Sequence, residues 1–214
     1  VVGNTTAEVD AAAAAALRAD FPAGLLLDVG TGDGKHVLAA ARGRPDLLCI
    51  GLDAQPDAMR RSARRAAAKP ARGGLPNARF VWAPVEALPD GLTGITEVHC
   101  LMPWGSLLRS MVRPDDALLR SIAARCAANA QFLVTLNLHA WRPPVPEVGA
   151  SAEPTPESAL ELLAPAYARA GWMLESADYL DGAQIADLGT SWTKRLGASR
   201  ESLDVLALRG GLTG

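Results

Sequence analysis

The sequence predicts an α/β fold: a seven-stranded, mostly parallel sheet with an antiparallel last strand and helices on both faces. Three observations carry that reading. Short apolar runs alternate with helix-like segments from about residue 25 onward. The first run, LLLDVG, opens into a glycine-rich turn, and the second, LLCIGLD, ends on an acidic residue. Of the 214 residues, 49% are hydrophobic and 21% charged, enough apolar side chain for one domain over 1–214, with 1–24 as an amino-terminal extension.

Along the chain, Leu25 to Val29 forms the first strand, and its glycine turn leads into a helix from Lys35 to Ala41. A second strand runs from Leu47 to Leu52 and a helix from Pro56 to Ala68. ARFVWA, ending at Ala83, is the third strand, and ITEVHCLM, ending at Met102, is the fourth. An alanine-rich helix from Asp115 to Ala128 precedes a fifth strand, Ala130 to His139. The proline-rich stretch that follows excludes helix or sheet interior, so 140–155 reads as an ordered linker. A helix from Pro156 to Ala170 then leads to two last strands, Trp172 to Tyr179 and Leu203 to Leu208. The Ala11 to Ala16 run is the longest low-complexity block.

Composition excludes several classes. No run reaches the roughly 18 to 20 apolar residues that span a bilayer, and the start lacks a basic-then-apolar leader pattern, so a soluble cytoplasmic protein away from membranes is expected. Cys49, Cys100 and Cys126 are odd in number and far apart, the pattern of reduced core thiols, and no metal is expected. A net charge of -2 argues weakly against nucleic acid, yet Arg60, Arg61, Arg64, Arg65, Lys69, Arg72 and Arg79 follow one another with no acidic residue between them.

DVGTGDG places Gly30, Gly32 and Gly34 directly after a strand, where glycine permits a tight turn and close approach to a ligand at a helix amino terminus. The spacing is G-x-G-x-G and not the dinucleotide G-x-G-x-x-G, which favours S-adenosylmethionine over NAD. Asp53, at the second strand end, is placed to accept hydrogen bonds from two ribose hydroxyls. Asp28 is explained by a cationic or amide-like group such as the methionine ammonium, and Glu86 and Ala87 follow the third strand, where methyltransferases of this architecture usually place contacts to the adenine ring and where Glu86 reads equally well as a surface acid. LMPWGS ends the fourth strand on a proline that fixes the loop and on Trp104, a flat face on which a base can stack. Trp192, in LGTSWTKRL with Lys194 and Arg195 behind it and Arg200 nearby, supplies a second face and cations for the phosphates flanking an extruded nucleotide. His36, His99 and His139 read as packing residues.

Taken together, LDVGTGDGKH, AAAKPARGGLPN, LMPWGSLLR, LNLHAWRPPVPEVG less one proline, and TSWTKRL resemble the aminoglycoside-resistance 16S rRNA methyltransferases that modify N1 of adenine 1408. The resemblance covers nearly the whole chain after residue 25. It implies a class I, Rossmann-like methyltransferase fold using S-adenosylmethionine and releasing S-adenosylhomocysteine. It also implies that Asp28, Gly30, Gly32, Asp53, Ala54, Glu86, Ala87, Leu101, Ser106 and Thr190 contact the donor, while Trp104 and Trp192 clamp the flipped adenine. Lys69, Arg72, Lys194, Arg195 and Arg200 would contact 16S rRNA in the assembled 30S subunit, with 69–78, 140–155 and 181–202 as substrate-facing linkers and a monomer as the acting form. A methyltransferase acting on tRNA or a small molecule would keep the donor pocket but has no use for two tryptophans and a basic loop. A non-catalytic nucleotide- or RNA-binding module would need only the turn.

Overall fold

The computed structural model describes residues 1, 5–8, 10–142, 147–149, 151–191 and 205–212. Seven strands form one sheet: β1 (Leu25–Val29), β2 (Leu48–Asp53), β3 (Ala78–Trp82), β4 (Ile95–Leu101), β5 (Cys126–Asn137), β6 (Trp172–Tyr179) and β7 (Val205–Leu212). Their order is β3-β2-β1-β4-β5-β7-β6, with β1 parallel to β2 and β4, and β7 antiparallel to both β5 and β6. The predicted class therefore stands, with the antiparallel strand placed inside the sheet and β6 at its edge. Seven helices accompany the strands among the described residues: α1 (Ala11–Ala19), α2 (Lys35–Gly43), α3 (Pro56–Ala66), α4 (Gly105–Val112), α5 (Asp116–Ala123), α6 (Pro156–Arg169) and α7 (Gly182–Asp187). The chain divides into two compact units, Val1–His99 with Arg125–Ala127, and Cys100–Ala124 with Ala128–Gly214.

In the first unit β1 is buried along its whole length, as a central parallel strand covered on both faces must be. Leu26, Cys49, Met59, Ala63 and Phe80 join Val37 and Leu38 in one apolar cluster that seats α2 and α3. The Asn77 amide, buried among them, donates to the carbonyls of Ala41, Arg44 and Leu47, each at 2.9 Å, and ties the end of α2 to the start of β2. Burial pushes the Cys49 thiol up to about 12, so it is an inert core group.

The second unit is built on aromatic packing. Phe132 on β5 stacks on Tyr167 of α6 and meets Trp172 edge-on, and the Trp172 indole N–H donates to Leu119 O at 3.0 Å. Tyr167 is buried and its hydroxyl donates to Met111 O at 3.2 Å.

Several boundaries differ from expectation for identifiable reasons. The alanine-rich helix stops at Ala123 and the strand begins at Cys126, because the Arg125 carbonyl accepts from Ile95 N–H and Asn129 sits at a left-handed φ of 62°: pairing overrides alanine's helix propensity. β7 continues past Leu208 through Gly210 and Gly211 instead of ending before them. A Cβ on Gly210 would lie 1.8 Å from Met173 O, so glycine admits the irregularity between Leu174 and Ser176 of β6. The alanine block is helical, capped by Asp10 accepting from Ala13 N–H, and α4 and α7 were not anticipated.

The third glycine of the turn has a packing role. Gly34 is left-handed at φ 70°, and a Cβ there would stand 2.3 Å from Cε1 of Phe80, whose ring is itself buried. Gly34→Ala is expected to destabilise the fold by about 2 to 4 kcal/mol, strain and overpacking combined. Urea denaturation measures it, and a change within experimental error would show that the ring yields.

Candidate functional site

Asp28 is the fourth residue of β1, flanked in register by Gly51 of β2 and His99 of β4, and only 2% exposed. Thr31, three residues on, donates its hydroxyl to Asp28 Oδ2 at 2.5 Å. Burial raises the Asp28 pKa above the ordinary carboxylate value. The nearby His36 and the Thr31 hydrogen bond pull it back in part, and Asp53 pushes it further up. His36 Nε2 lies 2.8 Å from His99 Nδ1, and burial holds His99 down at about 3, so His99 is neutral beside the carboxylate. Thr31 and the histidine pair are the parts that sequence reading did not assign to the site. The threonine was legible as a hydroxyl one turn beyond an acid.

The turn after β1 is joined to the end of β2. Gly30 and Thr31 N–H both donate to Leu52 O, and Gly32 N–H donates to Asp53 Oδ2 at 2.8 Å. Gln55 N–H donates to Asp53 Oδ1, also at 2.8 Å. Both oxygens of Asp53 are thus held by backbone, each keeping a further lone pair for a donor. Gly32 is left-handed at φ 56°, and a Cβ built on it meets no atom within 4 Å, so that side of the turn is open to a ligand. Gly34 instead serves packing. Ala54 is exposed, its carbonyl accepting from the Trp82 indole at 3.2 Å. Glu86 and Ala87 are exposed in a single 3₁₀ turn, Val85–Ala87, after β3.

In the second unit the end of β4 turns sharply. Leu101, Met102 and Pro103 are buried, and Trp104 emerges 46% exposed at the amino terminus of α4, with Ser106 exposed in its first turn. Met102 adopts φ 49°, unusual for a residue with a Cβ. The segment after β5 is fastened to α4: Arg109 donates to Glu147 Oε1 at 2.6 Å, and Arg113 donates to Val148 O at 3.0 Å. Thr190 is half-buried beyond α7, following Gly189 at φ 65°. Trp192, Lys194, Arg195 and Arg200 lie outside the described residues.

The basic segment divides by burial. On α3, Met59, Ser62, Ala63 and Ala66 face inward, which leaves Arg61, Arg64 and Arg65 on the exposed side. Lys69 and Arg72, exposed on either side of Pro70, continue that face. Arg79 departs from it: half-buried, it folds back to donate to Pro76 O and Ala78 O.

The family described as 16S rRNA (adenine(1408)-N(1))-methyltransferase matches residues 1–211. A 16S rRNA (adenine(1408)-N(1))-methyltransferase of Streptoalloteichus hindustanus is 53% identical over 210 residues, covering 98% of this chain and 97% of that protein. The crystal structure of the 16S rRNA methyltransferase KamB superposes with a TM-score of 0.94 at 51% identity, over 100% of this chain and 99% of the other. A tryptophan-to-alanine variant of the Catenulisporales acidiphilia 16S rRNA (adenine(1408)-N(1))-methyltransferase, solved with its cosubstrate SAM, has a TM-score of 0.89 at 32% identity, over 100% and 96%.

The raised pKa of Asp28 has a sign that can be tested. A carboxyl whose pKa is higher folded than unfolded contributes stability that is present below its unfolded value and lost as pH rises through the folded value. At neutral pH the ligand-free fold therefore carries a penalty. Asp28→Asn should raise Tm at pH 7 to 8, with a gain that shrinks as the pH falls toward the ordinary carboxylate range. A gain independent of pH would remove the charge from the explanation.

Proposed function

The chain belongs to the family of 16S rRNA (adenine(1408)-N(1))-methyltransferases, and from that premise we propose that it methylates N1 of adenine 1408 in 16S rRNA on the assembled 30S subunit, acting in the cytoplasm as a monomer and conferring aminoglycoside resistance. The methyl donor is S-adenosylmethionine, which supplies a methyl group on a positively charged sulfur. The observation that carries the reading is Trp104, an aromatic face left 46% exposed at the end of an otherwise buried turn.

The residues of the first unit fit the donor. Asp28 offers a buried carboxylate to its ammonium, Asp53 offers two fixed acceptors to its ribose, and the open side of Gly32 admits its approach. Ala54, Glu86 and Ala87 take the adenine side, and Gly30 shapes the turn. Leu101, Ser106 and Thr190 take donor contacts by the family's pattern. No helix among the described residues is long and apolar enough to cross a membrane.

N1 of adenine has an in-plane lone pair and needs no base to remove a proton before it attacks. The protein's task is therefore positioning. Extruding the base costs a few kcal/mol, and stacking on Trp104, worth about 1 to 3 kcal/mol per base, offsets it. We assign the opposite face to Trp192. The exposed cations Lys69 and Arg72 meet rRNA phosphates, together with Lys194, Arg195 and Arg200.

Purified 30S subunits incubated with the protein and S-adenosylmethionine should give a primer-extension stop at adenine 1408, since methylated N1 cannot pair; full read-through would overturn the assignment. Trp104→Ala should abolish or sharply reduce that stop while leaving calorimetric donor affinity unchanged, whereas Asp28→Asn should weaken donor affinity directly. Normal methylation by Trp104→Ala would make the indole a packing group.

Charge reversal at Lys69 and Arg72 is expected to weaken 30S binding and flatten its dependence on salt, with donor affinity intact. An unaltered salt slope would remove these two cations from the interface.

A further inference from the structure

Met102 is a residue with a Cβ held at φ 49°, between a buried strand end and the exposed Trp104. Residues with a Cβ resist that conformation, and one persists only where its surroundings over-determine it. The surroundings here are specific. Met102 N–H is shared between two acceptors on one residue of β5, Thr135 O at 2.9 Å and Thr135 Oγ1 at 3.0 Å. Thr135 is 0% exposed, so no water competes for that N–H. Leu101 and Met102 pack into a cluster with Leu180, Leu188, Val205 and Ala207, and the next residue, Pro103, is buried with its φ fixed by its ring. Of the four residues Leu101 to Trp104, only Trp104 is exposed.

We infer that the left-handed turn at Met102, clamped by Thr135, sets where the Trp104 ring points, which makes Thr135 a positioning residue for base capture. The inference rests on Trp104 as a stacking face and extends it to a residue that touches neither base nor donor. An ordinary extended residue at 102 would continue β4 and carry Trp104 along the strand. The left-handed turn redirects the chain, and the bifurcated, three-centre hydrogen bond keeps it turned against its strain.

A double-mutant cycle with two readouts tests this. The proteins are wild type, Thr135→Val, Met102→Gly and the double variant, each paired with its Trp104→Phe counterpart so that the other tryptophans subtract out. Acrylamide quenching reports how firmly the Trp104 ring is held, and kcat and KM on 30S subunits report its use. Thr135→Val is expected to make Trp104 more readily quenched and to lower kcat/KM about three- to ten-fold, the scale of one lost buried hydrogen bond, with donor affinity and circular dichroism unchanged. Thr135→Ser should restore both readouts. In the Met102→Gly background Thr135→Val should change neither, because glycine takes the turn without strain and needs no clamp. Equal losses in both backgrounds, or unaltered quenching in the Met102 background, would overturn the inference and leave Thr135 a packing residue. Should the valine variant not fold, Thr135→Ala removes the hydroxyl without a second methyl and carries the same comparison. Quenching needs no substrate, so a wild type that fails to methylate 30S would count against the functional reading alone, while quenching still decides the role of the turn.

Discussion

A carboxylate cannot be taken out of water without a partner, and Asp28, closed in on both sides by neighbouring strands, is such a carboxylate. Much of the first unit answers to it. The Thr31 hydroxyl that meets it lies on the turn whose backbone is bonded to Leu52, and the same turn holds Asp53 through Gly32. Ala83 N–H donates to Asp53 O at 3.2 Å and brings the end of β3 into the same set of bonds. Three strand ends are therefore coupled, and a shift in one displaces polar groups on the others.

The charge balance around Asp28 is left incomplete by the protein itself. His99 is adjacent in the sheet but neutral through burial, and His36 offsets only part of the rise that burial imposes on the Asp28 pKa. A resident cation beside Asp28 would make the ligand-free protein more stable and would compete with any cationic group arriving from solution. Stability and binding pull in opposite directions at this residue, the usual situation at a site kept ready for a charged ligand.

The strands were readable because a parallel sheet buried on both faces leaves continuous apolar runs. Leu25–Val29 begins and ends where that pattern says, and Trp172–Tyr179 also keeps its expected bounds, though as an antiparallel edge strand along which buried and exposed residues alternate. Boundaries went astray where long-range pairing overrules local preference, as at Cys126, or where glycines that look like a stop accommodate a neighbouring strand, as at Gly210. The glycine turn and Asp53 were legible from spacing, since chain geometry alone puts a ligand there. The packing role of Gly34 was not, because its partner Phe80 is remote in sequence. Nothing local marks the bond from Thr135 to Met102, which joins residues 33 apart.

The position of β7 between β5 and β6 bears on how the chain reaches its native state. Val205 to Leu208 are fully buried, yet they leave a ribosome only after both β5 and β6, the strands they join. The first unit, drawn almost entirely from residues before 100, can assemble while the rest is still being made; the second cannot complete its sheet until the strand that belongs in its middle arrives. Until then β5 and β6 each present an unpaired edge, a template for pairing with another chain. Nascent chains, and chains truncated before β7, are thus most exposed to aggregation in the second unit, and that hazard closes only once β7 has been made.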